Sequence, residues 1–204
     1  MTVYLHEGDL PDGLSFGSSV AVDSETLGLR FRRDPLCVVQ LSAGDGDAHV
    51  VRLNRPTYDC PNLKALMADP DVLKIFHFGR FDIGMIQLHL GIETGPVYCT
   101  KIASKLARTY TDRHGLKDVA REMAGIDLSK AQQSSDWGAA ELSPAQLEYA
   151  ASDVLHLHAI KARLDMMLER EGRMALAQAC FDFLPVRARL DLEGWEDVDI
   201  FAHS

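Results

Sequence analysis

The stretch Ser19 to Leu29, SVAVDSETLGL, decides the fold of this 204-residue chain. A short apolar run in it ends at two carboxylates, Asp23 and Glu25, which are two residues apart. Because side chains alternate along an extended strand, both carboxylates project from the same face. Two neighbouring carboxylates repel each other unless a hard divalent cation such as Mg²⁺ lies between them, since such an ion takes oxygen ligands. Alone, the pair is equally consistent with a strand end that reaches water.

Five strands are predicted from apolar or β-branched runs that are bounded by turn residues. They cover residues 19–23, 36–42, 49–53, 72–76 and 97–99. Short breaks join the first three, which predicts a meander. After them, strands alternate with helices, an order typical of a mixed α/β sheet covered by helices.

Helix signals follow each of the later strands. Pro61 is tolerated at a first helical position and predicts a short helix over PNLKALM. A second helix is predicted to begin near Asp82, where the apolar spacing becomes helical. Thr100 is a predicted N-cap for KIASKLAR.

The second half of the chain is predicted to be helical apart from one polar loop. A helix is predicted from near Gly115 to Gly125, followed by a loop over residues 127–138. Ser143 opens a capping box with proline at the first helical position, and the helix is predicted to continue to about Glu171.

Two further acids occur at positions where functional side chains are common. Asp82 lies where a strand gives way to a helix, although a first-turn aspartate also complements the helix dipole. Tyr149 and Asp153 are four residues apart on a predicted helix and therefore share a face. An aspartate in a mostly apolar helix is unusual, but a solvated aspartate beside an edge-of-core tyrosine is also consistent with the pattern.

Composition restricts the class of protein. The chain is 47% hydrophobic and 25% charged, which is enough for one sizeable core. No apolar run approaches the roughly 20 residues that span a bilayer, and no secretory signal is visible, so we expect a soluble cytoplasmic protein. The net charge of −9 argues against a protein that coats long nucleic acids. Four cysteines without a CxxC pair indicate reduced thiols rather than a zinc site.

Three short motifs occur in a fixed order: DSETLGL at 23–29, HFGRFD at 77–82 and YAASD at 149–153. They resemble the three exonuclease motifs of the DEDDy 3′-to-5′ exonucleases, the group that contains ribonuclease D and proofreading exonuclease domains. The resemblance covers roughly residues 19–165. It implies a ribonuclease H-like fold, here a mixed five-stranded sheet flanked by helices.

The resemblance also implies the chemistry of the site. It carries four metal-binding acids and one tyrosine that orients the attacking water. Two divalent ions, Mg²⁺ or Mn²⁺, would neutralise the phosphodiester, activate water and stabilise the leaving oxygen. Asp23 would bridge both ions, Glu25 and Asp153 would hold the ion that binds the water, and Asp82 would serve the other. The expected catalytic residues are Asp23, Glu25, Asp82, Asp153 and Tyr149.

A closer resemblance, to the nanoRNase C group of short ribonuclease D relatives, spans nearly the whole chain. It rests on HEGDLP at 6–11, residues 99–117, QQSSDW at 132–137 and DIFAHS at 199–204. It implies an exoribonuclease that hydrolyses dinucleotides and other very short RNAs to nucleoside 5′-monophosphates, and a homo-oligomer, an octamer. A broader ribonuclease D-type enzyme that trims longer RNA or DNA 3′ ends is the alternative. A binding module whose catalysis has lapsed would lack an acid, and none is missing.

Substrate contacts are predicted at five positions. Leu29 aligns with the apolar residue that dinucleotide-processing relatives place between two bases, although a core leucine is equally consistent. His77 is a candidate contact for the terminal ribose or phosphate, or a structural histidine. The basic residues between 101 and 117 are a candidate cap for a 5′ phosphate, although such a run is usually a solvated face. The residues preferred for this cap are Arg108, Arg113 and His114. Trp137 is expected to pack in the core rather than stack on a base.

We assign residues 1–175 to the exonuclease domain and residues 176–204 to a C-terminal tail. Large apolar residues in this tail would be costly to leave exposed, so they either fold back or cover a neighbouring subunit. We favour contacts within an oligomer. These residues are Phe181, Phe183, Trp195, Ile200 and Phe201.

Overall fold

The structure is a computed structural model that describes residues 1–129, 132 and 134–203. The described part of the chain contains six strands and seven helices. The strands are β1 (Val3–Glu7), β2 (Ser19–Thr26), β3 (Leu36–Ser42), β4 (Ala48–Arg52), β5 (Leu73–Phe76) and β6 (Val97–Cys99). The helices are α1 (Pro61–Ala68), α2 (Arg80–Leu90), α3 (Thr100–Ala107), α4 (Leu116–Ala124), α5 (Pro144–Val154), α6 (Leu157–Arg170) and α7 (Met174–Leu192).

All the described strands form one mixed sheet in the order β1-β4-β3-β2-β5-β6. β2 pairs antiparallel with β3, and β3 pairs antiparallel with β4, so the predicted meander is confirmed. On its other side β2 pairs parallel with β5, which in turn pairs parallel with β6. β2 therefore lies inside the sheet, with β3 on one side and β5 on the other.

The predicted number of five strands is wrong, because β1 was not foreseen. β1 lies at the sheet edge, parallel to β4, with Val3 opposite Ala48. Its side chains are at most half-buried, so the sequence VYLHE lacks the apolar alternation by which a strand is recognised. Ring contacts hold it in place, since His49 of β4 stacks against Tyr4 at 5.0 Å and against His6 at 5.2 Å.

Helix α1 receives its N-terminal cap from a residue far away in the sequence. Its own N-cap residue, Cys60, makes no side-chain capping hydrogen bond. Instead, the carboxylate of Asp9 accepts hydrogen bonds from the backbone N–H groups of Asn62 and Leu63, each at 2.8 Å. These groups have no partner inside a helix, so Asp9 satisfies donors that would otherwise be unpaired.

The predicted cap of α3 is wrong. Thr100 is the first residue of the helix, and its N-cap position is held by Cys99 without a side-chain bond. The Thr100 hydroxyl donates instead to the carbonyl oxygen of Phe76, at 3.1 Å, and so links α3 to the end of β5.

The long helix predicted to begin at Ser143 is two helices. The capping box is confirmed: the Gln146 N–H donates to Ser143 Oγ at 3.3 Å, and the Ser143 N–H donates to Gln146 Oε1 at 3.0 Å. The helix stops after Val154, however, and α6 begins at Leu157. α5 lies against β3 and β4 whereas α6 lies against α3 and α4, so the chain changes direction between them.

Helix α7 covers much of the predicted tail and packs against α2 and β6. Phe181 is buried, and its ring lies 4.4 Å from that of Tyr98. For Phe181 the fold-back alternative is therefore correct, because its ring lies in the core of this chain. Trp195, Ile200 and Phe201 are exposed.

Buried side chains lie on both faces of β3 and β4. Val39 and Val51 belong to the main core, while Val38 and Val50 belong to a smaller cluster that includes Trp137. Neighbouring residues of a strand point to opposite faces, so the sheet separates the two clusters. Trp137 is 2% exposed, which confirms its predicted packing role. No helix in the described part of the chain is long and apolar enough to cross a membrane.

Candidate active site

The structure brings three of the predicted metal ligands together at the end of β2. Asp23 and Glu25 come from this strand, and Asp153 comes from α5. One carboxylate oxygen of each lies within 4.8 Å of the other two. Alternation along the strand places the first two on one face, and α5 brings the third acid to that face.

Asp82 approaches the same place from the first turn of α2. Ser24 Oγ, from β2, donates to Asp82 Oδ1 at 2.5 Å, which holds the carboxylate beside the strand. Asp82 is buried, and its charge raises the pKa of Asp23, so the two carboxylates interact. The sequence reasoning did not select Ser24, although it lies between the two acids of β2.

Burial and mutual repulsion raise the pKa values of the acids. Burial, followed by the charges of Asp82, Asp153 and Glu25, raises the pKa of Asp23 well above its usual range. Burial and the same kind of repulsion raise the pKa of Glu25 to about 9. Burial is also the main reason that the pKa of Asp82 is raised to about 6 and that of Asp153 to about 7. A divalent cation would relieve this repulsion, and four carboxylates are the donor set that Mg²⁺ and Mn²⁺ prefer.

Without metal, the protein is expected to become more stable as the pH falls from about 9 to about 7. The raised pKa values of Glu25 and Asp153 mean that the folded state binds more protons than the unfolded chain in this interval. The free energy of unfolding therefore decreases as the pH rises. Mg²⁺ should raise the melting temperature most at the upper end, because it binds the ionised acids of the folded state.

Scanning calorimetry at pH 7, 8 and 9, with and without Mg²⁺, measures this dependence. The interval stops at pH 7 because burial lowers the pKa of several histidines, His77 among them, and their protonation opposes the trend at lower pH. Burial also lowers the pKa of Lys74 to about 8, which opposes the trend toward pH 9, but the protons held by Asp23 and Glu25 outnumber that of one lysine. Glu25→Gln is the control, since it should flatten the pH dependence. A metal-free melting temperature that rises with pH in the parent protein would contradict the assigned repulsion.

Gln40 holds Asp23 from the neighbouring strand. The two residues are directly opposite in the β2–β3 register, and Gln40 Nε2 donates to Asp23 Oδ2 at 3.0 Å. Gln40 is fully buried. The sequence reasoning missed this residue, although a glutamine within the apolar strand LCVVQLS was a visible signal.

Tyr149 lies one helical turn before Asp153, as predicted. Its hydroxyl interacts with the Asp153 carboxylate, and this interaction on its own lowers the pKa of that acid. Burial and the nearby charges of Asp153 and Glu25 raise the pKa of Tyr149 well above its ordinary value. The hydroxyl is therefore neutral at physiological pH and suits orientation of a water molecule rather than proton abstraction. The ring of Trp137 lies 6.0 Å from that of Tyr149.

Leu29 and Phe78 are exposed apolar side chains close in sequence to the acids. Leu29 is 77% exposed, so the core alternative for this residue is wrong. Phe78 is 50% exposed and has a φ of 64°, an uncommon conformation for a residue other than glycine. The ammonium group of Lys101 lies 3.7 Å from the centre of the Phe78 ring. No sequence pattern had singled out Phe78, because backbone strain is invisible in sequence.

His77 is held by one ring nitrogen. Its Nδ1 shares a hydrogen bond with Thr100 Oγ1 at 2.8 Å. Burial lowers the pKa of His77 to about 3, so the ring is neutral. Its Nε2 is buried and has no partner among the described residues. His77 therefore has a structural role through Nδ1, and its Nε2 remains available for a ligand.

The basic run between 101 and 117 is only partly free. Arg108 is 1% exposed and donates to Ser104 Oγ, to the carbonyl oxygen of Arg113 and to both carboxylate oxygens of Glu122. The prediction that Arg108 caps a phosphate is therefore corrected, because its guanidinium group holds α3 and α4 together. Arg113 is exposed, and His114 is half-buried with its Nδ1 bonded to Ser104 Oγ at 2.9 Å.

The predicted loop over 127–138 and two of the quoted stretches, QQSSDW and DIFAHS, include positions outside the described residues, namely 130, 131, 133 and 204. Within the loop, Ser135 Oγ donates to Gln132 Oε1 at 2.5 Å. The chain after the loop is bonded to β4, since Arg52 donates to the carbonyl oxygen of Ala140.

The chain is similar to known 3′-5′ exonucleases both in sequence and in structure. A family model described as 3′-5′ exonuclease matches residues 10–169. Ribonuclease D of Granulibacter bethesdensis is 37% identical over 156 residues, which is 76% of this chain and 39% of that protein. The chain thus spans about two fifths of the length of this relative.

Among solved structures, NrnC of Brucella melitensis is similar over the whole of both chains. One structure, with bound Mg²⁺, is 54% identical with a TM-score of 0.96 and covers 100% of each chain. Another, bound to pGG, is 55% identical with a TM-score of 0.97 and the same coverage.

Proposed function

Because this chain belongs to the 3′-5′ exonuclease family, we propose that it is a metal-dependent 3′-5′ exoribonuclease that hydrolyses very short RNAs to nucleoside 5′-monophosphates. The observation that carries this proposal is the meeting of Asp23, Glu25 and Asp153 within 4.8 Å, with Asp82 held beside them by Ser24. Four converging acids fit a metal-dependent hydrolase better than a binding module without catalysis. The likeness to NrnC, a protein seen with pGG, favours short RNA.

The four acids are proposed to hold two divalent ions, Mg²⁺ or Mn²⁺. Such ions, when bound, neutralise the phosphodiester and make a bound water more acidic than bulk water. Asp23 is proposed as the shared ligand, as the resemblance implies; it lies beside Glu25 and Asp153, and its charge also interacts with that of Asp82. Glu25 and Asp153 would act together on one side, and Asp82 on the other.

Tyr149 is proposed to direct the attacking water. Its hydroxyl interacts with the carboxylate of Asp153, so it lies on the side of the acids where the attacking water is proposed to bind. The raised pKa of Tyr149 keeps the proton on the hydroxyl, so this arrangement persists across the neutral range. The proton released from the water then passes to a carboxylate or to solvent.

Substrate contacts are proposed at the exposed or unpartnered groups around the acids. Leu29 is 77% exposed, and covering its apolar surface with a nucleobase would be favourable, so Leu29 is proposed to contact a base. The Thr100 hydroxyl donates to Phe76, so Nδ1 carries the proton of the neutral His77 ring and the buried Nε2 is an acceptor available to a ribose hydroxyl. Arg113 and His114 are the candidates for a 5′ phosphate.

We expect 5′-phosphorylated dinucleotides to be cleaved faster than RNAs of about seven nucleotides or more. A net charge of −9 provides little attraction for the phosphate backbone of a long RNA. A site that binds the 5′ phosphate favours a substrate short enough for both of its ends to bind at once. Rates should be measured with Mg²⁺ on end-labelled RNAs of about two to twenty nucleotides. Removal of the 5′ phosphate, or the double change Arg113→Ala and His114→Ala, should reduce the advantage of the dinucleotide.

Arg170→Ala is the matched control, because Arg170 is an exposed arginine at the end of α6 with a side chain 68% accessible to solvent. It should leave the length preference unchanged. Equal rates across lengths, with no effect of the 5′ phosphate, would instead support the broader ribonuclease D-type activity on longer RNA or DNA ends.

Residues 176–204 are proposed to supply contacts between copies of the chain. Trp195, Ile200 and Phe201 are exposed apolar side chains at the end of the chain, and a homo-oligomer would cover them. The octamer implied by the resemblance to nanoRNase C, and a cytoplasmic location, belong to the same proposal.

A further inference from the structure

An ion pair joins the first turn of α2 to the end of α7. Arg80, two residues before Asp82, donates from Nε and Nη2 to the two carboxylate oxygens of Asp191, each at 2.6 Å. The Asp191 side chain is only 2% exposed, and Arg187 forms a second ion pair with it at 2.8 Å. A bidentate pair of this kind fixes direction as well as distance.

The same arginines hold the turn that follows α7. Arg80 Nη2 also donates to the carbonyl oxygen of Glu196, at 2.7 Å. Arg187 Nη2 donates to the carbonyl oxygens of Trp195 and Glu196, at 3.1 and 3.0 Å. The turn is therefore bonded to α2 through its backbone.

The loop between β2 and β3 is bonded to the same segment. Arg32, three residues after Leu29, donates from Nη2 to the carbonyl oxygen of Leu192 at 3.0 Å. The loop also packs directly on α2, since the rings of Phe31 and Phe81 lie 5.0 Å apart. A Cβ atom at Gly84 would lie 2.6 Å from the Phe31 ring, so only glycine allows this approach.

We propose that residues 190–196, here called the C-terminal brace, position two parts of the active site. Through its bonds to Arg80, the brace fixes the position of the first turn of α2 and therefore of Asp82. Through Arg32 it sets the loop that presents Leu29. This inference rests on the proposed exonuclease function. Asp191 is proposed to contact neither the substrate nor a metal ligand, so it is a positioning residue.

The brace has a physical task because the four acids repel each other. Among the described residues, Ser24 is the side chain that bonds Asp82 to β2. Before metal binds, repulsion between Asp23 and Asp82 acts to separate the first turn of α2 from β2, and the ion pair of Arg80 with Asp191 holds that turn in place. Small displacements of a catalytic group are costly, and a shift of about 1 Å can lower a rate about 100-fold.

Asp191→Asn is expected to lower kcat on a 5′-phosphorylated dinucleotide by about 10- to 100-fold and to weaken Mn²⁺ binding by a similar factor, as is usual for residues that orient metal ligands. KM should change little. Asp191→Glu keeps the charge and should recover part of the loss. Arg32→Ala should show the opposite pattern, a higher KM with kcat nearly unchanged, because it releases the loop of Leu29 but not α2.

The measurements are steady-state kinetics, Mn²⁺ titration calorimetry and the melting temperature. Asp165→Asn is the matched control: Asp165 forms an ion pair with Lys161 at 2.6 Å on α6 and bonds neither α2 nor the β2–β3 loop. It should lower the melting temperature without changing kcat or Mn²⁺ affinity. If Asp191→Asn does not fold, Arg80→Lys, which keeps the charge and loses the bidentate geometry, replaces it.

Equal losses of kcat for Asp191→Asn and Asp165→Asn, or a lower melting temperature with kcat and Mn²⁺ affinity unchanged, would overturn the brace. The proposed function fails separately, if the parent protein binds Mn²⁺ but hydrolyses no RNA. In that case weaker Mn²⁺ binding by Asp191→Asn still supports the brace, and unchanged binding refutes it.

Discussion

Replacing Asp23 by asparagine is expected to abolish RNA hydrolysis while leaving the fold intact. Asp23 is the proposed shared ligand, and its charge interacts with those of the other three acids, so its loss should affect both ions of the proposed site. Metal catalysis contributes several kcal/mol to such reactions, and the expected decrease is about 10³-fold or more. Asparagine has nearly the same shape and can still bond to Gln40, so packing should not change.

The metal-free variant should also be at least as stable as the parent protein, because one repelling charge is gone. Activity at saturating Mg²⁺ and the metal-free melting temperature should be measured together. EDTA should abolish the activity of the parent protein, and added Mg²⁺ should restore it. Asp71→Asn, at an exposed aspartate in a turn, is the control and should behave as the parent. Full activity of Asp23→Asn would exclude the two-metal assignment.

Tyr149→Phe is expected to lower kcat by about 100-fold, the size of effect usual for a group that assists proton movement or orients water. The change removes only the hydroxyl and leaves the ring beside Trp137, at 6.0 Å. KM should stay nearly constant, because the hydroxyl acts on the water rather than on the RNA. Single-turnover rates on a dinucleotide separate the chemical step from product release.

Tyr110→Phe is a close control, since the Tyr110 hydroxyl bonds to the carboxylate of Glu122 on an exposed part of the surface. It should leave kcat unchanged. Unchanged kcat with a raised KM in Tyr149→Phe would move Tyr149 from the chemistry to substrate packing.

The acids could be predicted from the sequence because their placement depends on local geometry. Alternation along a strand puts Asp23 and Glu25 side by side, and one helical turn relates Tyr149 to Asp153. The family resemblance, and not the residue spacing, predicted that β2 and α5 meet. The meeting itself is the non-local step, and the structure shows it.

Partners across the sheet could not be predicted in the same way. Gln40 faces Asp23 because of the β2–β3 register, which depends on which strands pair and how they align. Edge strand β1 escaped notice because its side chains are at most half-buried and leave no apolar pattern. Both features become visible only when the order of strands is known.

The error at Arg108 has a different origin. A helical-face argument shows which side chains share a direction but not whether that direction is solvent or protein. Glu122, fourteen residues later, pairs with the guanidinium group, which also bonds to Ser104 and to the carbonyl oxygen of Arg113 and is 1% exposed. Phe181 shows the same limit, since a tail residue and a core residue can have the same sequence surroundings.

The capping of α1 by Asp9 has a consequence for protein engineering. Some fifty residues separate the carboxylate from the helix it caps, so the amino-terminal segment acts as a fixed part of the interior architecture. Shortening the chain past this residue would leave the start of a distant helix without its partner. An affinity tag is therefore safer when it extends the amino terminus than when it replaces the first ten residues.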